Sequence, residues 1–141
     1  MDTTKQPYIN INNIILTELN FIKYPVSIPL DSKIDAAITF DIKPQFSKDK
    51  NILYLSFTVF INKEKKETTE FSLKCSVLGI FEKDKNCENM SLEEFCKNNA
   101  PAILYPYIRE IISNTTLKAG YPYPIILPPC NFKAYMRNNS K

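Results

Sequence analysis

The sequence predicts an α+β domain in which four antiparallel strands form one sheet and helices follow at the C-terminal end. The strands are indicated by four stretches within residues 8–81 whose apolar side chains recur at every second position. A helix is indicated by residues 103–115, whose apolar side chains recur every three to four positions. Three of the strands have one apolar face, so we expect one side of the sheet to be covered and the other to face water.

The first strand is expected over residues 8–22, where isoleucine, leucine and phenylalanine alternate with polar side chains. A bulge is expected near Asn12 and Asn13, where the alternation is interrupted. Beyond this strand, Pro25 and Pro29 lie four residues apart among apolar neighbours. That spacing predicts a stiff, extended crossover arm between the first two strands.

The second strand is expected from Ile34 to Lys43, where apolar and polar side chains alternate until Pro44 ends the pattern. The third and fourth strands are expected over residues 52–63 and 69–81, joined by a charged hairpin connection. The side chains of these two strands that are expected to face the core are Leu53, Leu55, Phe57, Val59 and Ile61, and Phe71, Leu73, Cys75, Val77 and Phe81.

The main helix is expected to begin near residues 103–105 and to have Gly120 just beyond its end. Pro106 is then placed in the first turn, because a proline in a helix interior costs about 3 kcal/mol or more. The residues Tyr105, Tyr107 and Leu117 widen the apolar sector of this helix beyond what one sheet needs. A small domain often buries such excess against a second copy of itself, so we expect self-association.

Two short helices are also indicated. Ser91 is followed three residues later by Glu94, the spacing of a capping box that starts a helix. Asn131 is placed to cap a final helix over residues 132–138. The sequence thus predicts a long helix in the C-terminal half, a short terminal helix and a further short helix before them.

Composition limits the possible functions. The 141 residues suit a single domain, 1–141, with loose termini expected at 1–7 and 137–141. No signal peptide or membrane span is visible in the sequence, which indicates a cytoplasmic protein. A net charge of +3 is too small to indicate nucleic-acid binding. Histidine is absent, which removes the usual nucleophile pairs and most catalytic metal sites, so neither an enzyme nor a cofactor is expected.

The cysteines are expected to be free thiols. Cys75, Cys87, Cys96 and Cys130 match neither the paired spacing of a zinc site nor a small disulfide framework. The proline-rich stretches 24–30 and 121–129 instead combine stiff backbone with tyrosine and branched aliphatic side chains. They are interpreted either as core packed on the open flank of the sheet or as walls of a groove that accepts another extended chain.

In the order of its elements the chain resembles the SecB family of protein-export chaperones from about Tyr8 to Met136, and the specific part of the resemblance is residues 99–135. The motifs in order are LYPYIRE (104–110), GYP (120–122), LPPCNF (127–132) and AY (134–135), which are similar to the family's proline-led "LFPYARE" helix, Gly-aromatic-Pro step, "LAPVNF" arm and closing "ALY/ALF" helix. A weaker similarity is GIF (79–81) at the end of the fourth strand.

The resemblance implies a four-stranded sheet backed by the long helix, and dimers that join through those helices into a homotetramer. It also implies an ATP-independent holdase that binds non-native polypeptide in apolar grooves. The residues expected to contact or shape a client site are Tyr24, Val26, Ile28, Ile38, Phe40, Ile125, Leu127, Phe132 and Tyr135. The residues expected at the oligomer interface are Tyr107, Ile108, Ile111, Ile112 and Thr115.

The sequence also departs from the family. Members of the family that act in protein export present carboxylates on the open face of the sheet, and these carboxylates dock the SecA motor. Glu18 stands where one such acid is expected. Ser72 and Lys74 stand where the family tends to have leucine and glutamate, which disfavours that docking because the charge is reversed. The expected function is therefore a SecB-like holdase, and the alternative is a chaperone or binding subunit dedicated to one partner, such as an antitoxin. An enzyme that uses lysine or carboxylate catalysis is a third interpretation.

Overall fold

A computed structural model describes residues 9–24, 37–65, 68–85, 91–121, 125 and 127–138. The described elements are β1 (Ile9–Lys23), β2 (Ala37–Phe46), β3 (Ile52–Lys65), β4 (Thr68–Lys83), α1 (Leu92–Asn98), α2 (Ala100–Lys118) and α3 (Phe132–Asn138). The four strands form one antiparallel sheet in the order β1-β4-β3-β2, so β1 and β2 are its edges. The predicted α+β class is confirmed.

The core lies between the two central strands and α2. All ten side chains that the alternation assigned to the inner faces of β3 and β4 are buried. Helix α2 packs on these strands, and Leu104 meets β4 at Gly79. A Cβ atom at Gly79 would lie 2.8 Å from Leu104 Cδ2, so the absence of a side chain there lets the helix approach the sheet closely.

β1 contains two irregularities in its pairing with β4. The register shifts between Ile11 and Asn13, which confirms the predicted bulge, and shifts again between Leu16 and Glu18. The second shift was not expected. After the first shift Ile15 pairs with Leu78 on the open face, and the second shift returns Leu19 to the helix side. The residues of β1 that share the helix side of the sheet are Ile9, Ile11, Ile14, Leu16, Leu19, Phe21 and Lys23.

β2 continues past the proline that was expected to end it. Its pairing with β3 is unbroken from Ala37 to Phe46, and Pro44 lies opposite Leu55. A proline costs a central strand one ladder hydrogen bond, but at an edge its missing N–H can point away from the neighbouring strand. The predicted boundary at Lys43 was wrong for this reason, and the predicted start at residue 34 lies outside the described residues.

The start of α2 also differs from the prediction. The helix begins at Ala100, so Pro101 occupies the first turn and Pro106 lies inside the helix. The sequence argument assigned the first turn to the wrong proline, since helix α1 ends at Asn98 and Asn99 alone separates the two helices. The capping interaction predicted for α1 is present, with the Glu94 backbone N–H donating to Ser91 Oγ at 3.1 Å.

The end of α2 is held from two sides. Gly120 follows the helix with a φ of 89°, as predicted for a residue just beyond a helix end. Lys23 Nζ, at the end of β1, donates to the Ala119 carbonyl at 2.8 Å and lies 5.0 Å from the centre of the Tyr121 ring. A cation at this place is favourable because the last carbonyls of a helix carry partial negative charge.

We expect Pro106→Ala to raise the free energy of unfolding by about 1–3 kcal/mol, because Pro106 is exposed and its ring denies the Ala102 carbonyl a helical partner. Urea denaturation followed by circular dichroism measures the change. Pro101→Ala is the comparison: Pro101 is buried in the first turn, where no intrahelical hydrogen bond is restored, so this variant should not gain stability. A lower stability of the Pro106 variant would contradict the interior placement.

Candidate functional site

The segment after α2 is fixed to that helix by side-chain hydrogen bonds. Ile125 is held twice, with Ser113 Oγ donating to its carbonyl and its N–H donating to Thr116 Oγ1, both at 3.0 Å. The Tyr105 hydroxyl donates to the Pro128 carbonyl at 2.5 Å. This part of the arm therefore lies against the helix, where its aliphatic side chains can be buried.

Helix α3 closes the fold over the sheet edge. Its cap is the one predicted, with the Ala134 N–H donating to Asn131 Oδ1 at 3.1 Å. Phe132 then inserts between strand and helix, and its ring centre lies 5.4 Å from that of Phe57 and 4.7 Å from that of Tyr105. These contacts fix the position of α3 through aromatic packing.

Tyr135 connects α3 to β2. Its hydroxyl donates to the Phe40 carbonyl at 3.1 Å, and the two ring centres are 5.9 Å apart. Burial, and then the negative charge of nearby Asp41, raise the pKa of Tyr135, so the hydroxyl stays protonated and able to donate at neutral pH. We call Phe40, Phe57, Tyr105, Phe132 and Tyr135 the aromatic cluster.

A groove runs beside this cluster between β2, α1 and α3 and encloses about 590 Å³. Its lining residues are Phe40, Asp41, Ile42, Pro44, Phe46, Glu93, Cys96, Lys97, Tyr135 and Met136. We call it the β2 groove. Its two carboxylates have lysine partners, Asp41 with Lys43 at 3.4 Å and Glu93 with Lys50 at 3.0 Å. The groove therefore offers apolar side chains between largely compensated charges.

The residues expected at a client site are distributed over several environments. Phe40 and Tyr135 line the β2 groove, and Ile38 lies half-buried on the same face of β2. Tyr24 is exposed at the other end of the sheet, in a depression on the open face. Ile125, Leu127 and Phe132 are buried beneath the surface. Val26 and Ile28 lie outside the described residues.

Sequence reasoning missed part of the β2 groove. Ile42 continues the alternation of Ile38 and Phe40, so this pattern was sufficient to include it. Phe46 was missed because Pro44 was expected to end the strand. The contributions of Cys96 and Met136 depend on how α1 and α3 pack, which no local pattern specifies.

The residues expected at an oligomer interface divide into two groups. Ile108 and Ile112 are 0% exposed, because they face the sheet and form part of this subunit's own core. Their expected place at a contact between subunits stays a prediction. Tyr107 is 52% exposed, and Ile111 and Thr115 are half-buried on the outer side of α2.

A second exposed apolar surface lies on β1. Ile11, Leu16 and Leu19 share the helix side of the sheet, yet they are 49%, 48% and 42% exposed, respectively. Helix α2 packs on β3 and β4, and these three side chains of β1 keep large exposed areas. Such a cluster of large apolar side chains is typical of a contact surface.

The open face carries Glu18 and Lys74, two of the residues that the resemblance placed at a motor-docking surface. Lys74 Nζ lies 3.0 Å from Glu18 Oε1 and 5.4 Å from the centre of the Phe60 ring. Ser72 lies on the same face, between Ile22 and Asn62 of the neighbouring strands. The one acid retained from the family pattern is therefore compensated by the lysine, and the weakened docking inferred from the sequence stays a prediction.

The described residues contain no group of three or more histidine, cysteine or acidic side chains arranged to hold a metal ion. No helix among them is both long and apolar enough to cross a membrane. Cys75, Cys96 and Cys130 are free thiols, as predicted, and Cys87 lies outside the described residues. Burial raises the pKa of Cys75 and of Cys96 to about 11, which makes both thiols poor nucleophiles at neutral pH.

The sequence is similar to those of known proteins. The family model SecB, preprotein translocase subunit SecB, matches residues 2–141. The protein MJ0357 of Methanocaldococcus jannaschii is 29% identical over 140 residues, which cover 98% of this chain and 88% of that protein. The protein-export protein SecB of Burkholderia mallei is 29% identical over 136 residues, which cover 94% of this chain and 83% of that protein.

A solved structure has a similar fold. It is that of a SecB-like chaperone of Mycobacterium tuberculosis in complex with a ChAD peptide from the HigA1 antitoxin. The TM-score is 0.67 at 14% sequence identity, and the match covers 85% of this chain and 86% of that one. At this identity the likeness concerns the fold.

We expect Cys130 to be alkylated by iodoacetamide at pH 8 at least tenfold faster than Cys75 or Cys96 in a Cys87→Ser background, because Cys130 is partly exposed. Burial raises the pKa of Cys130 too, but its sulfur atom remains more accessible to the reagent than those of Cys75 and Cys96. Raising the pH from 8 to 9 should speed the two buried thiols about tenfold, since their thiolate fraction grows with pH below the pKa. Peptide mass spectrometry measures the rates, and a urea-denatured sample, in which all sites should react alike, is the control. Equal rates in the folded protein would contradict the described burial.

Proposed function

We propose, from the premise that this chain belongs to the SecB family of chaperones, that it is an ATP-independent holdase which binds non-native polypeptides in the β2 groove. The observation that carries the proposal is this groove, in which Ile42, Phe46 and Met136 lie beside the aromatic cluster. An apolar groove favours unfolded segments because folded proteins bury the side chains that would fill it. Holding such segments requires no covalent chemistry and no cofactor.

The walls of the groove support this role. The β2 strand is braced by the aromatic cluster, and α1 packs on α3 and α2. A rigid, preformed groove loses little conformational entropy when a chain binds, so apolar contacts alone can give useful affinity. Since these contacts are not specific to one sequence, we infer that the protein binds many clients. We further propose that it does so in the cytoplasm.

We further propose that the protein is a homo-oligomer, which buries the exposed side of β1 and the outer side of α2. Ile11, Leu16 and Leu19 contribute from β1, and Tyr107 and Ile111 contribute from α2, where they lie one helical turn apart. Burying a leucine or isoleucine fully is worth about 1.5–3 kcal/mol. A dimer of dimers would use both surfaces.

A second candidate function is the holding of one dedicated partner, such as an antitoxin. The fold similarity to the M. tuberculosis chaperone, which was solved with an antitoxin peptide, is the observation that favours it. The compensation of Glu18 by Lys74 agrees with a role outside SecA docking. The two candidates differ in the number of clients that they protect.

We expect the protein to suppress the aggregation of several unrelated chemically unfolded proteins at a near-stoichiometric ratio, as measured by light scattering. Phe46→Asp should reduce this suppression at least fivefold, because it places an unpaired charge in the apolar groove. Tyr54→Asp is the matched control, since Tyr54 pairs closely with this end of β2 but lies on the open face of the sheet.

Protection of several clients that is lost only in the Phe46 variant supports the holdase at the β2 groove. Protection of a single partner would favour the dedicated chaperone. If the wild-type protein neither suppressed aggregation nor bound unfolded peptides, the chaperone assignment itself would fail.

We expect Leu16→Glu to lower the molar mass in solution by half or more, because it places a charge in the proposed contact while the side chain is already half exposed in the single chain. Size-exclusion chromatography with light scattering measures the mass. Lys118→Glu, an exposed charge change at the end of α2, is the control and should keep the assembly. An unchanged mass for the Leu16 variant would contradict a contact through β1.

A further inference from the structure

Helix α1 contributes two opposite charges to the β2 groove. Glu93 and Lys97 both line the groove and stand four residues apart on the helix. Side chains at this spacing are neighbours on one helix face, and glutamate followed by lysine is the favourable order for an ion pair. Taken alone, the spacing would therefore pair these two side chains with each other and leave no charge in excess.

The carboxylate of Glu93 instead pairs with the turn between β2 and β3. Lys50 Nζ lies 3.0 Å from Glu93 Oε1. The turn is held in one shape by Asp49, whose carboxylate accepts from Ser47 Oγ at 2.7 Å and from the Asn51 N–H at 3.2 Å. Lys50 itself has a φ of 58°, a left-handed conformation that residues other than glycine adopt infrequently. This turn therefore directs the Lys50 ammonium group to α1.

Lys97 is left with no ion pair to any residue that the structure describes. The other carboxylate of the groove lining, Asp41, lies 3.4 Å from Lys43 Nζ. The positive charge of Lys97 also acts on the lining itself, because it partly opposes the burial that raises the pKa of Cys96. Around the described groove, two carboxylates thus stand against three ammonium groups, and the excess positive charge is that of Lys97.

We propose that Lys97 gives the β2 groove a charge preference for apolar client segments that carry an aspartate or a glutamate. The client carboxylate pairs with the Lys97 ammonium group beside apolar walls, where water screens the attraction less than at an open surface. Lys50 is a positioning residue, because it keeps Glu93 from pairing with Lys97. This inference rests on the proposed holdase function and names the class of client that the same groove prefers.

The charge selects among clients that all bind. The apolar side chains Ile42, Phe46 and Met136 contact any unfolded segment that enters the groove. An ion pair that is partly open to water changes affinity by only a few fold, and a lysine in place of the client carboxylate adds repulsion. We therefore expect acidic and basic versions of one peptide to differ in affinity by about three- to tenfold.

The experiment uses the full chain and two fluorescent peptides. Both contain the same stretch of alternating leucine and threonine, and they differ in one residue beside it, which is glutamate or lysine. Fluorescence anisotropy measures the two dissociation constants. We expect the glutamate peptide to bind about three- to tenfold more tightly at a salt concentration of about 0.05 M, and less than about twofold more tightly at about 0.5 M.

A pair of variants tests the role of Lys97. Lys97→Glu reverses the charge in the groove and should reverse the preference, so that the lysine peptide binds more tightly. Lys118→Glu is the matched control, because it makes the same change in net charge at an exposed position at the end of α2, outside the groove lining. This control should keep the wild-type ratio of affinities. Circular dichroism verifies that both variants are folded.

Two further variants test the positioning role of Lys50. In Lys50→Gln, Glu93 has lost its partner and can pair with Lys97 one helical turn away, so the preference should fall below about twofold. The double variant Lys50→Gln with Glu93→Gln leaves Lys97 unpaired again and should recover the wild-type ratio. An effect of Lys50 through the shape of its turn alone would not be rescued in this way.

The outcomes separate this inference from the proposed function. If both peptides bind the wild-type protein equally well at low salt, or if the two charge-reversal variants change the ratio alike, the preference set by Lys97 is wrong while apolar binding in the groove stands. A wild-type ratio in Lys50→Gln, or a failure of the double variant to recover it, overturns the positioning role of Lys50. If neither peptide binds the wild-type protein, both this inference and the proposed groove function are wrong.

Discussion

The packing of α2 on the two central strands determines the rest of the molecule. Neighbouring strands lie about 4.8 Å apart and a helix with its side chains is about 10 Å wide, so one helix covers about two strands. Helix α2 rests on β3 and β4, where Gly79 admits Leu104 against the sheet. Helix α2 therefore leaves the helix sides of the two edge strands, β1 and β2, largely uncovered. Other groups must cover them, and these groups differ between the two edges.

The two edges consequently have different surfaces. On the β2 side, the chain supplies its own cover through α1, α3 and the aromatic cluster, and the incomplete fit between these elements leaves the β2 groove. On the β1 side, Leu16 and Leu19 keep large exposed areas. In the proposed function, the partly covered β2 edge binds client polypeptides reversibly, whereas the exposed side of β1 contacts further copies of the same protein.

The sequence predicted the features that depend on local pattern. Alternation in β3 and β4, the Ser91 cap and Gly120 all involve neighbouring residues, and the structure confirms them. The errors have tertiary causes. Pro44 is accommodated because β2 is an edge, and Pro106 lies inside α2 because the helix already begins at Ala100, directly after α1. The groove itself is made by elements that are distant in sequence, so local pattern predicted only part of its β2 wall, and Tyr135 of α3 was expected from the family resemblance.

The contact of Lys23 with the end of α2 has a structural consequence. Lys23 comes just before the proline-rich stretch 24–30, and its partners Ala119 and Tyr121 stand at the beginning of the stretch 121–129. Both proline-rich stretches therefore start from one anchored point on the domain. Loss of the Lys23 ammonium group would therefore remove a contact from the base of both stretches at once.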